Sequence, residues 1–212
     1  MYGRLSPSSV VPPLSQLSFG GRSVRTLDFD IEARPLSWYG GDWVTREVTA
    51  IAATFIGEEQ GYVWLLGEDK PEDMLTEFAS LYAEADAVAG HFIRGYDLPN
   101  LNAAMHEHGL PGLGEKWSVD TKLDLVKRQG LSNSQENLAA ELGIEAPKVQ
   151  MNQAKWRASN RLTPEGIAFT RERVIGDVVQ HVEMLAELRR RGMVGPGKVW
   201  SPHASGGKKY TP

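Results

Sequence analysis

The sequence contains no cysteine. Disulfide frameworks and thiolate metal sites are therefore excluded, while the compartment stays open. It contains no apolar run near the ~20 residues that a membrane-spanning helix needs. Its start lacks the basic-then-apolar pattern of a secretory signal. These absences make a soluble, cytoplasmic protein with no membrane partner the expectation. Positive charge is also scarce: 23 Lys and Arg stand against 27 Asp and Glu, for a net charge of -4. A protein coated in basic surface is excluded, but a local basic groove is not.

What is present is one domain with tails. The chain has 212 residues, enough to bury a sizeable core. Residues 1–22 and 195–212 are rich in Ser, Pro and Gly and read as flexible arms around a domain at 23–194. Within the domain, alternation predicts strands at Val24–Glu32, Arg46–Ile56 and Gly61–Leu66, the last two joined as a hairpin by "GEEQG". "PEDMLTEFASLYAEAD" has helical spacing, with Met74, Leu75, Phe78, Leu81 and Tyr82 on one face. "AVAGH" and "WSVDT" are short strands, each followed by a helical or turn segment. "SNSQENLAAELG" is a helix with a Ser132/Gln135 capping spacing, and Thr163-Pro164 opens a long helix to about Arg191. This order predicts an α/β fold, a mixed sheet with helices on both faces.

One strand poses a problem. In "LDFDIEARP", Asp28, Asp30 and Glu32 alternate with Leu27, Phe29 and Ile31. Alternation places three carboxylates on one face and three apolar side chains on the other. Like charges in a row repel, and a buried carboxylate is costly unless it is paired or bound to a metal. A solvent-facing strand is the plain explanation; a cation site is the chemical one. Two more acids stand at suggestive points: Asp97 opens a helix in "GHFIRGYDLPNL", and Asp177 falls in "VIGDVVQH" beside the stripe Val174, Val178, Met184, Leu185 and Leu188. Four carboxylates suit two hard cations, Mg²⁺ or Mn²⁺, which held ~4 Å apart activate water and stabilise a leaving phosphodiester oxygen.

"FDIE", "GHFIRGYDLPNL" and "VIGDVVQH" resemble the three exonuclease motifs of the DEDD superfamily, the DnaQ-like 3′–5′ exonucleases that include polymerase proofreading domains. The resemblance runs from about Val24 to Arg191. It implies an RNase H-like fold: a mixed five-stranded sheet flanked by helices, with a long C-terminal helix. It implies Asp30, Glu32, Asp97 and Asp177 as catalytic metal ligands for two ions, Mg²⁺ or Mn²⁺. The implied activity is hydrolysis from the 3′ end of single-stranded nucleic acid, DNA favoured over RNA, in proofreading or DNA processing. A DNA polymerase or other replication protein is the implied partner. Were the gene a phage's, the compartment would be the host cytoplasm.

The chain departs from the family pattern twice. Phe92 stands where the second motif usually has Asn, and Arg173 and Glu172 stand where the third has Tyr or His. Arg173 and His181 each lie one helical turn from Asp177 on the same face and are candidates to assist, Arg173 by clamping a phosphate and His181 by orienting water. Their plain counterparts are an Arg173–Asp177 ion pair in the metal-free state and a partly exposed histidine. Asp28 is read as a salt-bridge partner and Asp120 as a cap for the following helix. The departures keep a second reading open: a weak or inactive module binding nucleic acid or a polymerase. A metal-dependent glycosyltransferase is a third, but it leaves "GYDLPNL" and Asp177 unexplained.

"KVQMNQAKWRASNR" holds Lys148, Lys155, Arg157, Arg161 and Trp156 with no acid. Basic groups meet phosphates and an aromatic ring stacks on an unpaired base, so this island is the candidate nucleic-acid contact, with Tyr96 beside Asp97. The alternative is a solvated loop with Trp156 in the core. Lys208 and Lys209 add charge near the end.

Overall fold

A computed structural model describes residues 18–19, 22–36, 44–126, 132–144 and 150–202. Most of the N-terminal arm, Lys148, Lys208 and Lys209 lie outside the described residues. Two short pieces, β1 (Ser18–Phe19) and β2 (Arg22–Ser23), pair antiparallel. The main sheet is built from β3 (Thr26–Pro35), β4 (Arg46–Phe55), β5 (Gly61–Leu65), β6 (Ala87–Gly90), β7 (Lys116–Asp120) and β8 (Lys198–Trp200). Their order across the sheet is β5-β4-β3-β6-β7-β8. β6 runs parallel to β3 and β7, and the other neighbours are antiparallel. The helices are α1 (Pro71–Glu84), α2 (Asp97–Glu107), α3 (Gln135–Leu142), α4 (Gln153–Asn160) and α5 (Pro164–Arg190). This is the expected RNase H-like α/β architecture, with one strand more than the five expected.

The extra strand comes from the segment assigned to the C-terminal tail. β8 pairs with β7, and Trp200 packs into the core beneath it. Glycine and proline around "KVW" masked a three-residue strand whose single aromatic anchors it. Residues 203–212 lie outside the described residues.

The two faces of β3 explain the rest of the layout. Leu27, Phe29 and Ile31 are buried with Ile51, Phe55 and Val88 against Met74, Leu75 and Phe78 of α1 and Leu98, Leu101 and Met105 of α2. Each such side chain contributes ~1.5–3 kcal/mol through burial. The opposite face carries the acids and receives α5. There β4 presents Ala50 and Ala52, paired with Glu32 and Asp30, and these small residues let Val174 and Val178 of α5 approach closely. The register shifts between Glu32 and Ala33, where β4 carries one extra residue, Thr49, opposite the end of the acidic row.

Local signals were met with two differences. Thr163 caps α5 by accepting from Gly166 N, and Pro164 follows at the first helical position. The cap of α3, however, is Ser134, which accepts from Asn137 N; Ser132 bonds the Asn137 side chain instead. The basic island is not a loop: Gln153–Asn160 form α4, capped by Asn152 accepting from Lys155 N. Gly166 makes this docking possible, since a Cβ there would lie 2.2 Å from Ala158 O of α4. Among the described residues no helix is long and apolar enough to cross a membrane.

Candidate metal centre

Three of the four expected acids converge. Asp30 and Glu32 from β3 and Asp177 from α5 each offer a carboxylate oxygen, all within 4.8 Å of one another. The strand's two-residue period brings the first two to one face, and the packing of α5 across that face brings the third. Asp97 stands behind them at the N-terminus of α2. It is 2% exposed, and its Oδ1 accepts from Ile31 N at 3.0 Å, between the two strand acids. Asp97 is not one of the group of three, but its charge reaches Asp30.

The electrostatics are those of a site short of positive charge. Burial pushes the Asp97 carboxyl up to about 8, with Asp120 and Glu32 adding to the shift. Asp30 is raised well above the usual carboxylate range by loss of water and then by the charges of Asp97, Asp177 and Glu32. A bound proton or a cation is required for these groups to coexist.

Arg173 supplies part of that charge. Its Nε donates to Glu32 Oε1 at 2.8 Å, and its Nη2 lies 3.2 Å from Asp177 Oδ2. Burial alone would lower the guanidinium pKa; the Asp177 and Glu32 charges reverse that and raise it. Its far face lies over the Trp156 ring of α4, 5.6 Å from the centroid. The basic island is thus tied to the acids through one side chain.

His181 is placed away from the three acids. It is 2% exposed rather than partly exposed, and both ring nitrogens are engaged: Nδ1 with Asp28 Oδ2 at 2.7 Å and Nε2 with Thr121 Oγ1 at 2.9 Å. Helical spacing put it on the Asp177 face, but one turn further along it reaches the next row of the sheet, where Asp28 lies. Asp28 pairs with this histidine, and burial raises its carboxyl against the lowering effect of His181.

Asp120 does not cap a helix. It accepts from Phe92 N, Arg94 N, Lys122 N and Leu123 N, holding its own turn and the loop that leads to Asp97. That grip fixes Phe92 at φ 67°. A bulky side chain is rare in this region of backbone conformation, which Asn tolerates more readily.

The outer contacts are mixed. Tyr96 is half-buried under Arg46, whose Nη1 donates to its hydroxyl at 3.3 Å. Lys155 turns inward, its Nζ over the Phe169 ring and donating to Gln150 O at 3.1 Å, while Arg157 and Arg161 are exposed. Sequence reasoning passed over Thr121, His91 and Gln135. Gln135 Nε2 donates to Asp177 O at 2.8 Å and so ties α3 to the turn of α5 that carries Asp177. The only signal for Thr121 and His91 was a polar residue closing an apolar strand.

No protein-family model and no curated protein match this sequence. The fold is similar to a solved one, the family B DNA polymerase from the hyperthermophilic archaeon Pyrobaculum calidifontis. The TM-score is 0.61 with 18% identity over 78% of this chain. The match spans 24% of the polymerase's length. At that identity the likeness speaks for the fold.

Proposed function

We propose that this protein is a 3′–5′ exonuclease that hydrolyses the terminal phosphodiester of single-stranded DNA with two divalent cations, Mg²⁺ or Mn²⁺. The observation that carries this reading is the convergence of Asp30, Glu32 and Asp177 within 4.8 Å on one face of the sheet. All three are hard oxygen donors, the set these cations prefer, and their mutual repulsion is what a cation would relieve. The likeness to part of a DNA polymerase and the resemblance of the three acidic motifs support the same reading.

Asp30, Glu32 and Asp177 would hold the ions, and Asp97 would complete the set once ionised. Bound there, the ions supply the charge that lowers the pKa of water and stabilises the leaving oxygen. The chain's own groups do the positioning. Arg173, displaced from Glu32 and Asp177, remains within reach of a phosphate and pairs with it as a fixed cation. Trp156, Arg157 and Arg161 on α4 and its C-terminal end meet the incoming strand, and Tyr96 lines the other side. A replication polymerase is the partner that such an activity would serve.

A second reading is favoured by one observation. Arg173 occupies the acids as an internal cation, which suits a module that binds nucleic acid without cleaving it. A 3′-labelled single strand incubated with Mn²⁺, with chelator as control, separates the two. Chelator-sensitive release of mononucleotides supports the enzyme; binding without release supports the module.

A further inference from the structure

We propose that Val10–Leu17 of this chain, an apolar stretch without a carboxylate, docks in the acid-rimmed groove between the β4–β5 hairpin and the outer side of α5.

The groove exists because α5 carries more apolar side chains than the sheet covers. Val174 and Val178 are buried against Ala50, Ala52 and Leu65. A neighbouring stripe, Ile175, Val179 and Val182, follows the same helical spacing to one side of that contact. Ile175 is 39% exposed and Val179 44%. With Ala52 and Val63 of the hairpin, this stripe lines a groove of about 440 Å³. Glu58, Glu59 and Glu183 stand among the lining residues, all three exposed, and no Lys or Arg joins them among the described residues. β5 is the edge of the six-stranded sheet, so no further described strand closes this side. A contiguous apolar groove with a charged rim marks an interaction site. The acids select an occupant that is apolar and free of negative charge.

The N-terminal arm meets both conditions. No Asp or Glu precedes Asp28, while Arg4, Arg22 and Arg25 do. Val10, Val11, Leu14 and Leu17 supply the apolar side chains. Residues 1–17 lie outside the described residues, but their point of departure does not. Ser18 pairs with Ser23, which brings the root of the arm back beside the chain that leads into Arg25. Arg25 donates to Glu58 Oε1 from Nε at 3.3 Å and from Nη2 at 3.2 Å. Ile56 N donates to Thr26 O at 2.9 Å, closing the start of β3 onto the β4–β5 turn. The arm is therefore rooted at the Glu58 end of the groove.

Pro12 and Pro13 set the mode of contact. Proline fixes its own φ and biases the residue before it to extended backbone, so this stretch loses little entropy on docking. Proline also lacks the N–H that a strand added to β5 would use, so side chains make the contact rather than a backbone ladder. The eight residues Val10–Leu17 reach up to ~26 Å when extended. The stripe from Ile175 to Val182 is only about 10 Å long on the helix axis, so the stretch spans it. Tethering holds the arm at a local concentration on the order of millimolar, so a weak contact suffices. A symmetric dimer through this groove would instead set one acidic rim against another.

The test uses the full chain. The sequence has no cysteine, so Ser15→Cys takes a single nitroxide label. The expected result is loss of the nuclear magnetic resonance signals of Val63, Ile175 and Val179 by paramagnetic relaxation, with recovery when the label is reduced. Leu110 and Leu113, packed in the cluster on the opposite face of the sheet, are expected to keep their signals. Mixing labelled chains without ¹⁵N into unlabelled ¹⁵N chains is expected to leave all signals intact. Val179→Glu places a charge in the groove at an exposed position and is expected to restore the signals of Val63 and Ile175 with the melting curve unchanged. Glu59→Lys combined with Glu183→Lys is expected to weaken the effect through the rim alone. No loss in the labelled wild type, or a loss that persists in full in Val179→Glu, overturns the docking. A loss seen in the mixed sample assigns the groove to the arm of a second copy and overturns the contact within one chain. None of these readouts depends on nuclease activity, so the exonuclease reading stands or falls separately.

Discussion

Arg173 Nε donates to Glu32 Oε1 at 2.8 Å, joining α5 to β3 across the acidic cluster. The guanidinium therefore stands where positive charge is needed when no metal ion is bound. On the reading proposed above, metal and arginine would compete for the same carboxylates. Arg173→Gln is expected to tighten Mn²⁺ binding at least tenfold in calorimetry while destabilising the metal-free protein by ~1–3 kcal/mol, since it leaves buried charge less compensated. Unchanged affinity would show that the arginine and the ions occupy separate places.

Asp30→Asn and Asp177→Asn act in the opposite sense. Each removes one of the repelling charges, so the metal-free protein is expected to melt higher than the wild type. Each also removes a ligand, so the rise in melting temperature on adding Mn²⁺ is expected to vanish, along with cleavage. Cleavage at the wild-type rate in either variant would remove these residues from the site.

Stability of the metal-free protein is expected to fall as pH rises. Asp97 titrates at about 8 in the folded state, against ~3.9 unfolded. Between those values the folded state holds the proton more tightly, so its stabilising share is present at the acid end and is lost as pH rises through 8. A melting temperature at least ~3 °C lower at pH 8.5 than at pH 5.5 is expected, a gap that Mn²⁺ and Asp97→Asn each narrow, the remainder coming from Asp30. A flat profile in the wild type would contradict the shift.

Among the described residues, Arg157 and Arg161 are the exposed cations of the basic island. If each neutralises a phosphate, the double alanine variant is expected to reduce the salt dependence of single-strand binding by roughly 0.7 in logarithmic slope for each phosphate left without its arginine. Lys155→Ala, whose charge is already turned to Phe169 and Gln150, should change that slope less.

Gly166→Ala tests how α4 is held. The added methyl meets Ala158 O and Ser159 N, backbone atoms that cannot rotate aside. A loss of ~1–3 kcal/mol is expected, with α4 displaced from α5 and single-strand affinity reduced. Wild-type stability in this variant would mean that α4 moves freely.

The elements with strong periodicity were legible in the amino-acid order: the apolar row of β3, the stripe of α5 and the Thr163-Pro164 start. Period and capping are local, and a chain of a few residues carries them. The meeting of Asp30, Glu32 and Asp177 was foreshadowed by the acidic motifs, while Asp97 stands outside that group. β8 was not legible, since three residues between Gly and Pro carry too little pattern to mark a strand. Nor was the cap at Ser134, where two serines offered the same chemistry two residues apart.

The sequence by itself determined which residues share a face of a strand or helix, because backbone geometry sets that spacing. Asp28, Asp30 and Glu32 had to align, and so did Arg173, Asp177 and His181. Only the tertiary structure decided what each face meets. The crossing of α5 over β3 puts Asp177 with Asp30 and Glu32, and puts His181 one row away against Asp28 and Thr121. Two side chains a single helical turn apart receive different partners because a turn advances about 5.4 Å, roughly the reach from one sheet row to the next. That distance between long-range neighbours follows from packing and not from any local stretch of chain.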